Sequence, residues 1–187
     1  IPPNAAPFGA IPFGAIPADD DPSIAPPMVE IVTDGEYFTR YTLFQEGDEY
    51  STTNYTRGSL VPINTPVKVV SIAKNKVTLK RLDTGDKLTV ENEEKYTRKN
   101  AAQFAQLMLS SEPTPLEQLP PHLASAIKSG TMRKGMTREQ VLMARGYPPA
   151  HETPSLDSDR WVYWSSRFVR HTIVFFDGRL AEGRGIF

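Results

Sequence analysis

Short runs in which apolar and polar residues alternate dominate the stretch from Glu36 to Tyr96. Tyr37 to Phe44 is aromatic and threonine-rich. Val67, Val69 and Val70 lead a strand to Ile72, Val77 and Leu79 alternate with Thr78 and Lys80, and Leu88 and Val90 resume the pattern. A period of two turns one face of each run toward a core. Turn sequences separate the runs: Gly47-Asp48, Arg57-Gly58, Lys74-Asn75-Lys76 and Asp83-Thr84-Gly85-Asp86, the last with a glycine for positive φ. About five strands in some sixty residues predict a small closed β-barrel over 36–96.

The period then lengthens. Thr97 is the expected N-cap of a helix in which Ala101, Phe104, Ala105 and Met108 share one face, and Glu112-Pro113-Thr114-Pro115 closes this helical connection over 97–119. Pro120-Pro121 opens a second helix with Leu123, Ala126 and Ile127 on one side, His122 on the surface and Gly130 at its end. Thr137 and Gln140 have the spacing of a capping box, flanked by Met136 and Val141 as a hydrophobic staple, and Gly146 with Pro148-Pro149 stops that helix. Three strands follow: Arg160 to Ser165, Phe168 to Phe176, and Arg179 to about Phe187, the last two joined by the hairpin pair Asp177-Gly178. The predicted class is α+β and β: an extended arm over 1–35, a small barrel, and a helix-helix-three-strand domain over 120–187.

The barrel layout, with the Gly58–Pro66 stretch before a valine-rich strand, resembles bacterial SH3-like domains. In the last 65 or so residues four ordered motifs carry a second likeness. Gly135-Met136-Thr137 through Val141, Gly146-Tyr147-Pro148, Asp159 to Tyr163, and Val174 to Leu180 together resemble the SmpA/OmlA (BamE-like) family of outer-membrane lipoproteins. That resemblance implies a helix-helix-three-strand fold, a cell-envelope location and a scaffolding role without catalysis. The family usually begins at a lipidated cysteine, whereas this chain has no cysteine and carries a barrel and an arm ahead of the domain.

Composition alters the picture at the beginning of the chain. Residues 1–39 hold six acids and no Lys or Arg, while the remaining 148 hold 16 acids and 21 bases. Eight of the 17 prolines fall within the first 27 positions. An acidic, proline-rich arm thus precedes a mildly basic body, and prolines at that density favour extended backbone. Pro7-Phe8-Gly9-Ala10-Ile11 is repeated directly as Pro12-Phe13-Gly14-Ala15-Ile16. Free linkers are depleted in aromatics, so Phe8, Ile11, Phe13 and Ile16 are expected to dock on another chain, with a plain spacer as the alternative. The chain starts at Ile1 without methionine, as expected either after removal of an export signal or for a piece cut from a longer chain.

The overall balance, 21 bases to 22 acids, gives no general pull toward nucleic acid. The lack of cysteine excludes disulfides, thiol nucleophiles and thiolate metal sites. His151, Glu152, Asp157 and Asp159 cluster in one loop but match no ligand template, and no G-x-S-x-G, P-loop or H-E-x-x-H occurs. We therefore expect no catalytic residue, no cofactor and no metal. Gly183 and Gly185 are read as letting the final strand bend or a partner approach. The surface chemistry is more suggestive. Lys128, Arg133, Lys134, Arg138 and Arg145 stand against the single acid Glu139, a cluster suited to anionic lipid or to an acidic arm. Trp161, Tyr163, Ile173 and Phe175 alternate with Val162, Trp164, Thr172, Val174 and Phe176, so the last sheet has two apolar faces, and the Trp164 face needs a cover.

The resulting expectation is a non-enzymatic scaffold in the periplasm or on the outer membrane of a Gram-negative bacterium. Its partners would be other envelope proteins and copies of itself, with contact to anionic lipid or peptidoglycan. Phe8, Ile11, Phe13, Ile16, Lys128, Arg133, Lys134, Arg138 and Trp164 are the expected contacts. The alternative is a periplasmic module recognising peptidoglycan or a peptide through a barrel groove lined by Tyr37, Tyr41, Tyr50 and Tyr55. A hydrolase using the His151 loop is a third reading. Residues 120–187 are expected to fold on their own.

Overall fold

In the computed structural model, which describes residues 23–186, the alternating runs become strands in the expected places. They are β1 (Glu36–Thr39), β2 (Leu43–Gln45), β3 (Glu49–Ser51), β4 (Ser59–Val61), β5 (Pro66–Ile72), β6 (Lys76–Arg81) and β7 (Lys87–Glu91). Helices α1 (Glu94–Thr97) and α2 (Ala101–Met108) follow, and α2 runs directly into the short strand β8 (Leu109–Ser110). Val67, Val69, Val77, Leu79, Leu88 and Val90 are all buried, which is the inward face of the period-two pattern. Val70 is the exception in its run. A bulge between Val69 and Ser71 displaces it, leaving it about half exposed.

The closed barrel is not what forms. Six strands make one curled half-barrel sheet in the order β3-β7-β6-β5-β1-β8, and among the described residues β2 pairs only with β4. Closure would need β3 to meet β8, and these strands are three and two residues long. All neighbours are antiparallel except β3 and β7. The β1–β8 pairing carries the sheet beyond residue 96, into the stretch read as a helical connection.

The helical stripe Ala101, Phe104, Ala105 and Met108 is buried as its spacing predicts. Its cap is Asn100 rather than Thr97. Asn100 forms a full capping box with Gln103, while the Thr97 hydroxyl is engaged by Asn92 and the Lys99 carbonyl. Arg98, at φ 54°, reverses the chain between the two helices.

Helices α3 (Pro121–Lys128) and α4 (Arg138–Arg145) come next, then the antiparallel sheet β9 (Arg160–Ser166), β10 (Val169–Phe176) and β11 (Arg179–Gly183). Thr137 and Gln140 form the predicted box at the start of α4. Asp177 and Gly178 both take positive φ, 51° and 71°, as a two-residue turn between twisted strands requires. Trp161, Tyr163, Ile173 and Phe175 are buried beneath this sheet.

The buried residues of 36–119 and 120–186 belong to one continuous core. Tyrosines form much of the seam. Tyr41 and Tyr50 share a 3.0 Å hydroxyl contact. Tyr55 donates to the Tyr147 carbonyl at 2.7 Å, and Tyr163 donates to the Gly146 carbonyl at 2.7 Å. The Tyr55 and Tyr163 rings meet edge-on at 4.9 Å. Seven of the eight residues of α4, Arg138 to Ala144, are buried in this seam.

Candidate functional site

Beside this seam lies an open groove of about 550 Å³. One wall is the Thr53–Arg57 turn with α1, and the other is the end of β9 with the turn into β10. The sequence places aromatic residues on both walls: Tyr96 in α1 and Trp164 in β9, with their rings 4.8 Å apart at 75°. His151 completes a three-ring cluster, 5.1 Å from Tyr96 and 5.5 Å from Trp164. The backbone N–H of Ala150 donates to the Tyr96 carbonyl at 2.7 Å, which fixes the His151 loop against α1. Tyr96 and His151 thus cover Trp164 in part, while Phe176, from the same alternating set, stays 78% exposed.

Phe168 stands at the far lip of the groove with 81% of its surface exposed. A large ring in that position is a ready contact surface. Cations frame these rings. Lys95 lies 4.6 Å from the Tyr96 ring centre, Arg167 5.3 Å from Phe168 and Arg170 5.2 Å from Trp164. Among the groove's lining residues Arg57, Lys95 and Arg167 face one acid, Glu93. The arrangement suits a ligand with ring or proline faces and negative charge.

The expected tyrosine-lined barrel groove is replaced by core. Tyr37, Tyr41 and Tyr50 are buried, and Tyr55, itself 3% exposed, contributes only an edge to the groove just described. Burial raises the hydroxyl pKa of Tyr41, Tyr50 and Tyr55 well above its ordinary value.

The basic cluster divides in two. Lys128, Arg133 and Lys134 are exposed. Lys128 borders a second groove, of about 630 Å³, between α3 and the Thr114–Leu119 segment. Arg133 and Lys134 sit in a loop whose neighbour Gly135 bonds to the Leu180 carbonyl of β11. Arg138, expected at a contact surface, is instead buried, bonds Asp159 at 2.6 Å and lies over the Phe175 ring at 4.9 Å. Arg145 is turned inward as well, donating to the Tyr55 carbonyl at 3.1 Å. The reason is that α4 is enclosed almost all round, which turns its charged side chains toward other parts of the chain.

The single acid of that cluster has a use that charge counting missed. Glu139, on α4, accepts the backbone N–H of Ile24 at 3.1 Å. Across the seam the Arg40 guanidinium donates to the Pro26 and Pro27 carbonyls at 2.6 and 3.2 Å. One buried charge from each half therefore holds the extended segment 23–27 where the arm joins the body. Burial raises the Glu139 pKa against the pull of Ser23, Ile24, Ala25 and Arg40. The only sequence sign was an arginine inside an aromatic, strand-forming run. Phe8, Ile11, Phe13 and Ile16 lie outside the described residues.

In the His151 loop, His151 faces Glu152 at 3.5 Å and Glu152 pairs with Arg170, while Asp159 belongs to Arg138. Among the described residues no three His, Asp or Glu side chains converge as a metal site would require. None of the described helices is long and apolar enough to cross a membrane. No protein-family profile matches the chain, and no curated protein or solved structure is significantly similar to it.

Proposed function

We propose that this chain is a non-enzymatic scaffold of the Gram-negative cell envelope, which joins a larger assembly by gripping an extended, acidic, proline-rich segment in the seam groove. The observation that carries the reading is a match of chemistry. The groove offers Tyr96, Trp164 and Phe168 inside a frame of Arg57, Lys95 and Arg167. Residues 1–22 carry two Pro-Phe-Gly-Ala-Ile units and Asp19-Asp20-Asp21. Proline-rich segments bind aromatic-lined grooves well because little of their ordering entropy remains to be lost. In this reading Phe8, Ile11, Phe13 and Ile16 of one copy dock on a neighbour, and Lys128, Arg133 and Lys134 form a second, electrostatic contact with envelope partners or anionic lipid. The envelope location draws on the SmpA/OmlA resemblance of the four sequence motifs between Gly135 and Leu180. The SH3-like likeness rests on the Gly58–Pro66 stretch before a valine-rich strand.

The test is a titration of a synthetic peptide of residues 1–22 into the full chain at low salt, followed at the Trp164 indole N–H. We expect a saturable shift that is lost when Lys95 and Arg167 are changed together to Glu. It should also be lost when Phe8 and Phe13 of the peptide are Ala. An indole resonance that stays fixed throughout the titration would remove this reading.

A further inference from the structure

On the other side of Trp164 lies a smaller pocket of about 230 Å³ whose chemistry differs from that of the groove. Its lining includes Arg145, Arg184, His171 and Ser165 together with Met132 and Tyr163, and among the described residues it contains no acid. Arg145 reaches it from the last turn of α4. One nitrogen of its guanidinium bonds the Tyr55 carbonyl, and its Nε is sealed from solvent with no acceptor among the described residues. Arg57, Arg81, Arg138 and Arg170 each pair with a carboxylate, whereas Arg145 and Arg184 have none among the described residues. Burial lowers the Arg145 pKa from its ordinary value, against a smaller upward pull from Tyr163. His171 is held in place by a 2.9 Å contact with the Ser165 hydroxyl.

A partly buried guanidinium whose one protein partner is a neutral carbonyl is incomplete as a structural element. The same group at the wall of an acid-free pocket is well suited to an oxyanion, because its planar fork matches carboxylate and phosphate oxygens. The space equals roughly seven or eight waters. That is room for one anionic group and a ring-sized apolar body against Met132 and Tyr163.

We propose that this pocket binds a small molecule bearing an oxyanion, a carboxylate or a phosphate, on a short apolar body, with Arg145 as the anchor and Arg184 as the second cation. The pocket shares Tyr55, Trp164 and Ser165 with the groove, whereas His171, Arg145 and Arg184 line the pocket alone and so tell the two sites apart.

It is tested by amide and indole NMR of the full chain titrated with phenyl phosphate, benzoate and, as the neutral control, phenol. Saturable shifts around Trp164, Ser165 and His171 are expected with the anions and not with phenol. Whichever anion binds more tightly identifies the head group. Arg184→Ala, at an exposed position, should weaken binding several-fold without altering the circular dichroism spectrum. Arg145→Lys should weaken it about tenfold, the loss of one charge-assisted hydrogen bond. Three results would each overturn the proposal: no saturable shift with either anion, equal shifts with phenol, or unchanged affinity in the Arg184→Ala chain.

Discussion

Single residues at the seam decide whether the two halves fit. Gly146 is one of them. Its φ of 79° and ψ of −171° lie in a region that only glycine enters at little cost, and a Cβ there would meet the Tyr41 ring at 2.9 Å. Gly146→Ala should therefore destabilise the chain by roughly 1–3 kcal/mol, read as a lower urea midpoint. A midpoint unchanged from the wild type would mean that the ring yields freely. The buried tyrosines make a second prediction at this scale. Burial raises the pKa of Tyr41, Tyr50, Tyr55, Tyr147 and Tyr163 above the usual value of 10.0. Below that pH both folded and unfolded chains keep these protons, so the stabilising contribution is complete. Above it the unfolded chain releases protons that the folded chain retains, and stability falls as pH rises. Absorbance at 295 nm should show these tyrosines ionising only together with loss of the circular dichroism signal. Their ionisation in a chain that is still folded would show that the hydroxyls are open to water.

At the scale of elements, α4 joins what was readable to what was not. Its start could be read from Thr137, Gln140 and the staple residues because a cap is local chemistry, complete within five positions. The hairpin at Asp177-Gly178 and the stripe from Ala101 to Met108 were readable for the same reason. Nothing local announced that α4 would be enclosed. Its charged sequence looks like a solvent face, and its partners, Ile24, Asp159 and Tyr55, come from distant parts of the chain. The parallel pairing of β3 with β7 and the edge strand β8 escaped sequence reasoning similarly, since register between remote strands leaves no periodic trace. The groove was half visible: Trp164 stood out, but Tyr96 and Phe168 joined it only through the fold. Burial of α4 predicts a split response within the basic cluster. Arg133→Glu with Lys134→Glu should change stability by no more than about 0.5 kcal/mol. Arg138→Ala should cost roughly 1–2 kcal/mol through the lost Asp159 bond and the lost contact with Phe175. Equal effects in thermal unfolding would contradict the burial of α4.

At the scale of the whole molecule, two separate apolar patterns suggested two independent folding units, and the continuous core argues for one. Thr42, between β1 and β2, donates its backbone N–H to the Met143 carbonyl at 2.9 Å and its hydroxyl to the Ile127 carbonyl at 2.7 Å. Arg145 bonds the Tyr55 carbonyl at 3.1 Å, and the Tyr55 hydroxyl bonds the Tyr147 carbonyl at 2.7 Å. If residues 120–187 were made alone, these groups would face water and Tyr147, Tyr163 and the buried sides of α4 would lose their cover. Three strands and two eight-residue helices bury too little apolar surface by themselves to offset the ordering entropy of that many residues. We therefore expect 120–187 alone to give a collapsed amide spectrum with little dispersion, and addition of residues 23–119 to restore dispersed signals. The intact chain should unfold in one step. Tryptophan fluorescence, which reports Trp161 and Trp164 in the second half, should coincide in urea with far-ultraviolet circular dichroism, which reports both halves. Two separated midpoints would mean that the seam is a docking contact between finished domains. A single midpoint would make it part of the core, and any partner held in the groove would then stabilise both halves at once.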